Sequence, residues 1–314
     1  MTRPVLYQVR ALPGGHFDRL QARFEVRGGA ARPASREQLL AEAREAEVLV
    51  TSYIDRVDAA LLDGLPRLRH LASYGVGVNH LDLEACRRRG LLVTNTPGVV
   101  TEATAEHAMA LLLACARRVA EGDRLIRRGG WTAVDPTFLL GTGLDGKRLG
   151  LVGFGRIGQA MARRARAFDL EITYAAPRDM GVPGARRLGL DELLATADVV
   201  SLHCPLAPET RNLLSRERLA RLKPGALVIN TARGGVLDDA ALAEGLAAGR
   251  IGGAGLDVFP DEPSVPAAYL GLENVVLTPH LGSGTRETRA AMAAMVVEEI
   301  ERVARGEPAR HPVP

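Results

Sequence analysis

Three side chains late in the sequence are of the types needed to move a hydride and a proton together. They are Arg233 in Thr231-Ala232-Arg233-Gly234-Gly235, Glu262 in Asp261-Glu262-Pro263, and His280 directly after Pro279. Reducing a 2-keto acid asks for four things: a held carboxylate, a polarised carbonyl, a proton for the new alkoxide and an oriented nicotinamide. The planar guanidinium of Arg233 suits the first two, because its paired N–H groups match a carboxylate and can reach the carbonyl oxygen. His280 suits the proton transfer, since an imidazole titrates near neutral pH. Glu262 can hydrogen-bond the imidazole, fix its tautomer and raise its pKa. Singly, each has a plainer reading: a histidine after proline is often structural or exposed, and an arginine beside two glycines is often a loop charge. The weight lies in their order, each at the end of a predicted strand.

Upstream, Gly153-Phe154-Gly155-Arg156-Ile157-Gly158 follows a predicted strand and opens a predicted helix. In that context Gly153 permits the tight turn, Gly155 lets backbone approach a pyrophosphate, and Gly158 lets the helix pack on the sheet. The helix N-terminus offers unpaired N–H groups to the phosphates. The alternative is a glycine-rich structural turn. An acid at the tip of the next strand would bind the ribose hydroxyls and repel a 2′-phosphate. Here Glu171-Ile172-Thr173-Tyr174 runs into Ala175-Ala176-Pro177-Arg178, with no carboxylate at the tip. Arg178 would attract a 2′-phosphate, so NADP is expected as cofactor, with NAD still open. A bend after Pro177 could bring Asp179 near, and Arg178 could be a solvated loop residue.

Such groups need a scaffold of parallel strands. Residues 5–9, 48–50, 68–73 and 91–94 read as buried strands, with a helix over 17–24 and another over 81–89 stopped by Gly90. After the breaker cluster Asn95-Thr96-Pro97-Gly98, Thr101 can cap a long helix with Ala108, Leu111, Leu112, Cys115 and Val119 on one face. The irregular stretch 129–146, with Trp131 and Pro136, is long enough to suggest a functional loop or an interface arm. Six further strands are predicted at 149–153, 171–175, 198–202, 226–230, 255–258 and 275–278. A final helix over 285–305 turns Met292, Met295, Val296, Ile300 and Val303 inward as ordinary core. Strands alternating with helices imply an α/β fold with doubly wound parallel sheet.

Composition narrows the class. The 314 residues suffice for two domains, and 46% hydrophobic with 25% charged residues is a globular balance. The net charge is only +3, lysine occurs only at 147 and 223, and the arginines lie among acids without interleaved aromatics. No nucleic-acid partner is therefore expected. Cys86, Cys115 and Cys204 are odd in number and far apart, so neither a disulfide framework nor a metal site is expected, and a reducing compartment is. With no signal pattern at the N-terminus and no apolar run of membrane-spanning length, the expected location is the cytoplasm, with no membrane partner.

The motifs resemble a known family, the D-isomer-specific 2-hydroxyacid dehydrogenases, over residues 48–302. They include Tyr74-Gly75-Val76-Gly77-Val78-Asn79, Asn95-Thr96-Pro97-Gly98, the loop Gly153 to Gly158, and His203-Cys204-Pro205-Leu206. They continue with Asn230-Thr231-Ala232-Arg233-Gly234, Asp257-Val258-Phe259 leading to Glu262-Pro263, and Thr278-Pro279-His280 with Gly282-Ser283. The resemblance implies that Arg233 binds substrate, Glu262 supports the histidine and His280 is the acid/base. Val76 and Gly77 would offer N–H groups to the substrate carboxylate, and Asp257 would bind the nicotinamide carboxamide. Arg156 and Ile157 would lie on the pyrophosphate, Thr231 and Ala232 at the nicotinamide ribose, and Pro205 and Gly282 would also contact the cofactor. Tyr53 stands where a smaller aliphatic residue often lines the substrate pocket, although a core or surface role fits it equally.

Within the family the chain is most similar to glyoxylate and hydroxypyruvate reductases, through Gly130-Trp131-Thr132, the segment Pro136 to Gly141 and Leu144-Asp145-Gly146-Lys147. NADPH preference is common there. Val134 replaces a second tryptophan often present in those reductases, so the preferred keto acid is open. Glu262 argues against the formate dehydrogenase branch, which usually has Gln there. The implied architecture is a Rossmann cofactor domain, residues 99–282, inserted in a flavodoxin-like substrate domain, residues 1–98 and 283–314. The active site would lie between them, and the helix from Thr101 with the arm around Trp131 would build a homodimer. Two rivals remain: an NAD-dependent dehydrogenase of another D-2-hydroxy acid or of phosphite, and a nicotinamide-sensing regulator without enzymatic activity.

Overall fold

The computed structural model describes residues 3–31 and 35–314. The chain divides into two compact units, one running to Val100 and resuming over Gly284–Pro314, the other Thr101–Ser283. In the first unit five strands, β1 (Val5–Gln8), β2 (Glu25–Gly28), β3 (Ala46–Ser52), β4 (His70–Tyr74) and β5 (Leu92–Thr94), form a parallel sheet in the order β2-β1-β3-β4-β5. That is the flavodoxin-like order. Strand alternation decides what covers each face. Leu49 and Leu71 point to one side, against Leu39, Leu61, Leu62 and Cys86. Val48, Val50, Ala72 and Tyr74 point to the other, against Phe17, Leu20, Met292, Val296 and Ile300. The C-terminal helix Arg286–Ala304 is thus core to the unit in which the chain began.

In the second unit seven parallel strands, β6 (Arg148–Val152), β7 (Glu171–Ala175), β8 (Ala185–Arg187), β9 (Val199–Leu202), β10 (Leu227–Asn230), β11 (Gly253–Leu256) and β12 (Val275–Leu277), lie in the order β12-β11-β10-β9-β6-β7-β8. This is the doubly wound dinucleotide-binding order with one added edge strand. The helices Thr101–Ala116 and Arg156–Ala165 bury Ala108, Leu112, Ala160 and Met161 on one face. Leu193, Leu242 and Tyr269 fill the other. Because all the strands are parallel, every loop that follows a strand leaves from the same edge, and six of the strands end where the sequence reading put a candidate site residue.

Several elements differ from their sequence reading. Residues 16–22 form a 3₁₀ helix and the chain then enters β2. The long helix ends at Ala116, and Arg118 takes a left-handed φ of 52°, so Val119 opens a new helix and stands exposed. Met295 and Val303 are only partly buried, and Ala293 and Val297 take the core positions. The six predicted strands become seven with β8. Strand β11 starts at Gly253 rather than at 255, because glycine here is no breaker: a Cβ on Gly255 would stand 2.9 Å from Leu111 Cβ, so its absence lets the long helix lie close on the sheet. Asp257 and Val258 consequently belong to the loop at the strand's carboxyl edge.

Candidate active site

The groups at the carboxyl edge of the second unit are built by three consecutive loops. After β10, Asn230 is 1% exposed and staples the turn: its Nδ2 donates to Arg233 O at 3.0 Å and its Oδ1 accepts from Ala232 N at 3.0 Å. Arg233 emerges from that turn, with Nη1 on Ala232 O at 2.6 Å. The next residue must be glycine, since a Cβ on Gly234 would come 2.0 Å from Phe259 C. That contact presses the loop after β10 onto the loop after β11, which carries Glu262.

Glu262 works with both oxygens. Oε1 accepts from Phe259 N at 3.0 Å, which fixes the side chain on its own loop, and His280 Nδ1 donates to Oε2 at 2.7 Å. Burial opposes ionisation of Glu262. The hydrogen bond and charge of His280, the Phe259 N–H and the charge of Arg233 outweigh it and hold the carboxyl below its ordinary range. An ionised Glu262 can only accept, so it fixes the proton on Nδ1, and Nε2 is the ring nitrogen this bond does not use. His280 has φ 55°, a left-handed conformation rare for a residue with a side chain, and its N–H donates to Asp257 O at 2.9 Å. Other histidines offer less: His70 is 2% exposed and bonded to Thr94 Oγ1 at 2.9 Å, and burial pushes its pKa down to about 4.

Asp257 holds the His280 loop in place. It is 1% exposed, and its carboxylate accepts from Thr278 Oγ1 at 2.7 Å, Leu281 N at 2.6 Å and Gly282 N at 2.8 Å, with His107 Nε2 at 3.2 Å. Three of these contacts go to the chain around residue 280, and Gly282 is buried with its N–H taken up in the same network. His107, on the long helix, gave no signal in the sequence beyond its polarity on an apolar face. Burial works against ionisation of Asp257, yet bonds from His107, Thr278 and Leu281 keep its pKa below the ordinary carboxylate value.

The glycine loop fits a dinucleotide. Gly153 has φ 90° and a Cβ there would strike Cys204 N at 2.6 Å, so no other residue can make the turn. Gly155 meets nothing within 4 Å, leaving an open cradle over the helix that begins at Arg156 without a side-chain cap. Those first-turn N–H groups, Ile157 and Gly158 among them, are what a pyrophosphate would accept from. Thr231 Oγ1 is buried with no partner among the described residues, and Ala232 is buried beside it. Pro205 lies exposed just past β9. Past β7, Arg178 is exposed. Asp179 is bent back: its Oδ1 accepts from the buried Tyr174 phenol and from Gly181 N at 3.0 Å, and these bonds, the phenol first, lower its pKa. Arg187 on β8 braces the same turn, donating to Ala176 O and Pro177 O, each at 3.0 Å. The sequence reading missed this second cation because its strand is short, exposed and charged.

In the first unit, the loop after β4 carries Val76 and Gly77. Asn95 Nδ2 donates to Val76 O at 2.8 Å, which orients the loop, and neither the Val76 nor the Gly77 N–H is taken up by a hydrogen bond among the described residues. Tyr53, just past β3, is partly buried; its hydroxyl accepts from Arg289 Nη2 at 3.1 Å.

Residues 109–282 match the model of the D-isomer specific 2-hydroxyacid dehydrogenase NAD-binding domain. The chain belongs to the D-isomer specific 2-hydroxyacid dehydrogenase family. It is accordingly a nicotinamide-dependent 2-hydroxyacid oxidoreductase. Among its relatives in the family, the glyoxylate reductase of Pyrococcus furiosus is 44% identical over 97% of this chain and 94% of its own length. A solved structure of a Thermus thermophilus protein is 48% identical with a TM-score of 0.94, covering 98% of this chain and 99% of that one. An NADPH-dependent glyoxylate/hydroxypyruvate reductase from Sinorhizobium meliloti, solved with NADP and malonate, is 32% identical with a TM-score of 0.88, covering 99% and 97%.

Asp257→Asn tests the loop anchor, because an amide cannot accept from Thr278, Leu281 and Gly282 together. The ionised form is favoured in the folded state, so its contribution is complete above the ordinary carboxylate pKa and is lost as pH falls through the lowered folded value. Urea unfolding should show the variant about 1.5–3 kcal/mol less stable at neutral pH, with the gap closing in acid. A gap that stays constant with pH would contradict the assignment.

Proposed function

We propose that the protein reduces small 2-keto acids, glyoxylate and hydroxypyruvate among them, to the corresponding 2-hydroxy acids, with NADPH preferred over NADH. The observation that carries this reading is the carboxylate-held imidazole of His280, with Arg233 close enough to Glu262 to lower its pKa. The bound nicotinamide would supply the hydride. Arg233 would hold the substrate carboxylate and polarise its carbonyl, and the Val76 and Gly77 N–H groups would be donors for a substrate carboxylate. Nε2 of His280 would give its proton to the carbonyl oxygen, and the negative Glu262 would stabilise the imidazole while it is charged. Tyr53 would help shape the pocket, Asp257 would bind the nicotinamide carboxamide, and Gly282 would contact the cofactor.

NADPH preference rests on the tip of β7. No carboxylate stands at the strand tip for ribose hydroxyls, Asp179 is engaged by Tyr174 and Gly181, Arg178 is exposed, and Arg187 binds the Ala176 and Pro177 carbonyls of the same turn. The glyoxylate reductase relatives and the NADPH-dependent reductase neighbour favour the same substrate and cofactor class. We also assign the cytoplasm as location and a homodimer as the working form. The arm and second helix expose Trp131, Val134, Phe138, Leu140, Val119 and Ile126, an apolar surface of the kind a second copy covers. No helix among the described residues is long and apolar enough to cross a membrane.

The direct experiment follows oxidation of NADPH and NADH with glyoxylate, hydroxypyruvate and pyruvate. Turnover is expected with the first two, and His280→Ala should lose about 10²–10⁴-fold in kcat while still binding cofactor. No turnover with any keto acid would reject the reading and favour a regulatory role. Arg178→Ala should weaken NADPH by about tenfold while NADH binding changes little. Equal effects on the two cofactors would remove the 2′-phosphate site.

A further inference from the structure

The end of β7 is joined to the glycine loop by two contacts, both within the second unit. Gly153 N donates to Ala175 O at 2.9 Å, and the Tyr174 ring stacks on Phe154, with centroids 4.0 Å apart and planes 11° from parallel. Phe154 stands between Gly153 and Gly155, so the strand end and the dinucleotide loop are packed as one piece. The chain that leaves Ala175 therefore starts beside that loop. Its next residues, Ala176-Pro177-Arg178-Asp179, set a cation and a carboxylate side by side. The two act in opposite senses on a cofactor: the cation attracts a 2′-phosphate, and the carboxylate repels it while accepting from free ribose hydroxyls.

The structure treats the two side chains differently. Arg178 is exposed. Asp179 is turned back onto the strand, where its Oδ1 accepts from the Tyr174 hydroxyl and from Gly181 N at 3.0 Å. Met180 N donates to the phenol oxygen at 3.0 Å, so the hydroxyl both gives and takes a bond within the same turn. The ring that carries it is fully buried and fixed by the Phe154 stack. Burial first, and the Asp179 bond second, keep the phenol protonated and therefore a donor, while the phenol bond above all keeps Asp179 ionised and an acceptor.

We propose that the Tyr174 hydroxyl sets cofactor choice, by latching Asp179 against β7 and leaving Arg178 to meet the ribose 2′ position without a competing carboxylate. This rests on the NADPH reading and supplies its mechanism in a turn that also carries an acid. Tyr174 is a positioning residue that acts through Asp179.

The test measures Kd for NADPH and NADH by fluorescence titration of the full chain, in the intact protein, in Tyr174→Phe and in Tyr174→Phe with Asp179→Asn. Phenylalanine keeps the ring and the stack and removes only the hydroxyl. The preference for NADPH, taken as the ratio of the two Kd values, should fall about tenfold in Tyr174→Phe, with NADPH weakened and NADH not. Adding Asp179→Asn removes the freed charge and should restore most of the ratio, a coupling that a packing defect does not produce. An unchanged ratio in Tyr174→Phe would overturn the proposal and leave the NADPH reading standing. A fallen ratio that Asp179→Asn does not restore would show that the hydroxyl acts on the turn and not through the carboxylate, and would also overturn it. If the intact protein binds NADH more tightly than NADPH, the NADPH reading falls and this proposal with it.

Discussion

The hydrogen bond from His280 Nδ1 to Glu262 Oε2, 2.7 Å long, sets what the loops of the second unit must do. Its partners come from different strands and are 18 residues apart in sequence. To meet, the loop after β11 must be fixed on itself, which the Phe259 N–H does by binding the other oxygen of Glu262. The loop after β12 must also hold a left-handed backbone at His280, and Asp257 holds it there through Thr278, Leu281 and Gly282. One buried carboxylate therefore positions the imidazole and a second, partly buried one sets its tautomer. Arg233 enters the same site because Gly234 has no side chain to keep its loop off Phe259.

Parallel topology makes this economical. Each strand of the second sheet delivers its following loop to one edge, so the dinucleotide loop after β6, the β7 tip, Arg233, Glu262 and His280 need no further device to be near one another. What needs specific side chains is the last few ångströms. Asn230 staples one turn, Asp257 another, and the Tyr174 phenol with Arg187 shapes a third. At each of these positions a polar side chain takes up backbone groups of a turn, as is expected where a backbone must be held away from its ordinary preference.

Much of this was legible in the sequence, for physical reasons that can be named. The dinucleotide loop is local, and its glycines report directly on backbone geometry. Arg233, Glu262 and His280 each sit past an apolar strand and could be ordered along one edge by topology. Long-range partners were not legible. His107 meets Asp257 from a helix whose pattern only asked for apolar residues, Arg187 reaches its turn from an edge strand with an exposed, charged sequence, and Arg289 finds Tyr53 236 residues away. Glycine misled at β11, where it serves helix packing and not chain reversal. Val119 misled because apolar spacing continues past Ala116 although the helix does not.

The most direct measurement of the central interaction is the single-turnover rate of hydride transfer from bound NADPH to glyoxylate in Glu262→Gln. An amide keeps the shape and a hydrogen bond but removes the charge that stabilises the proton on the imidazole and the constraint that fixes its tautomer. The expected result is a loss of roughly 10²–10⁴-fold in that rate with little change in NADPH affinity. Hydride transfer at the unaltered rate would contradict the role given to the Glu262–His280 pair.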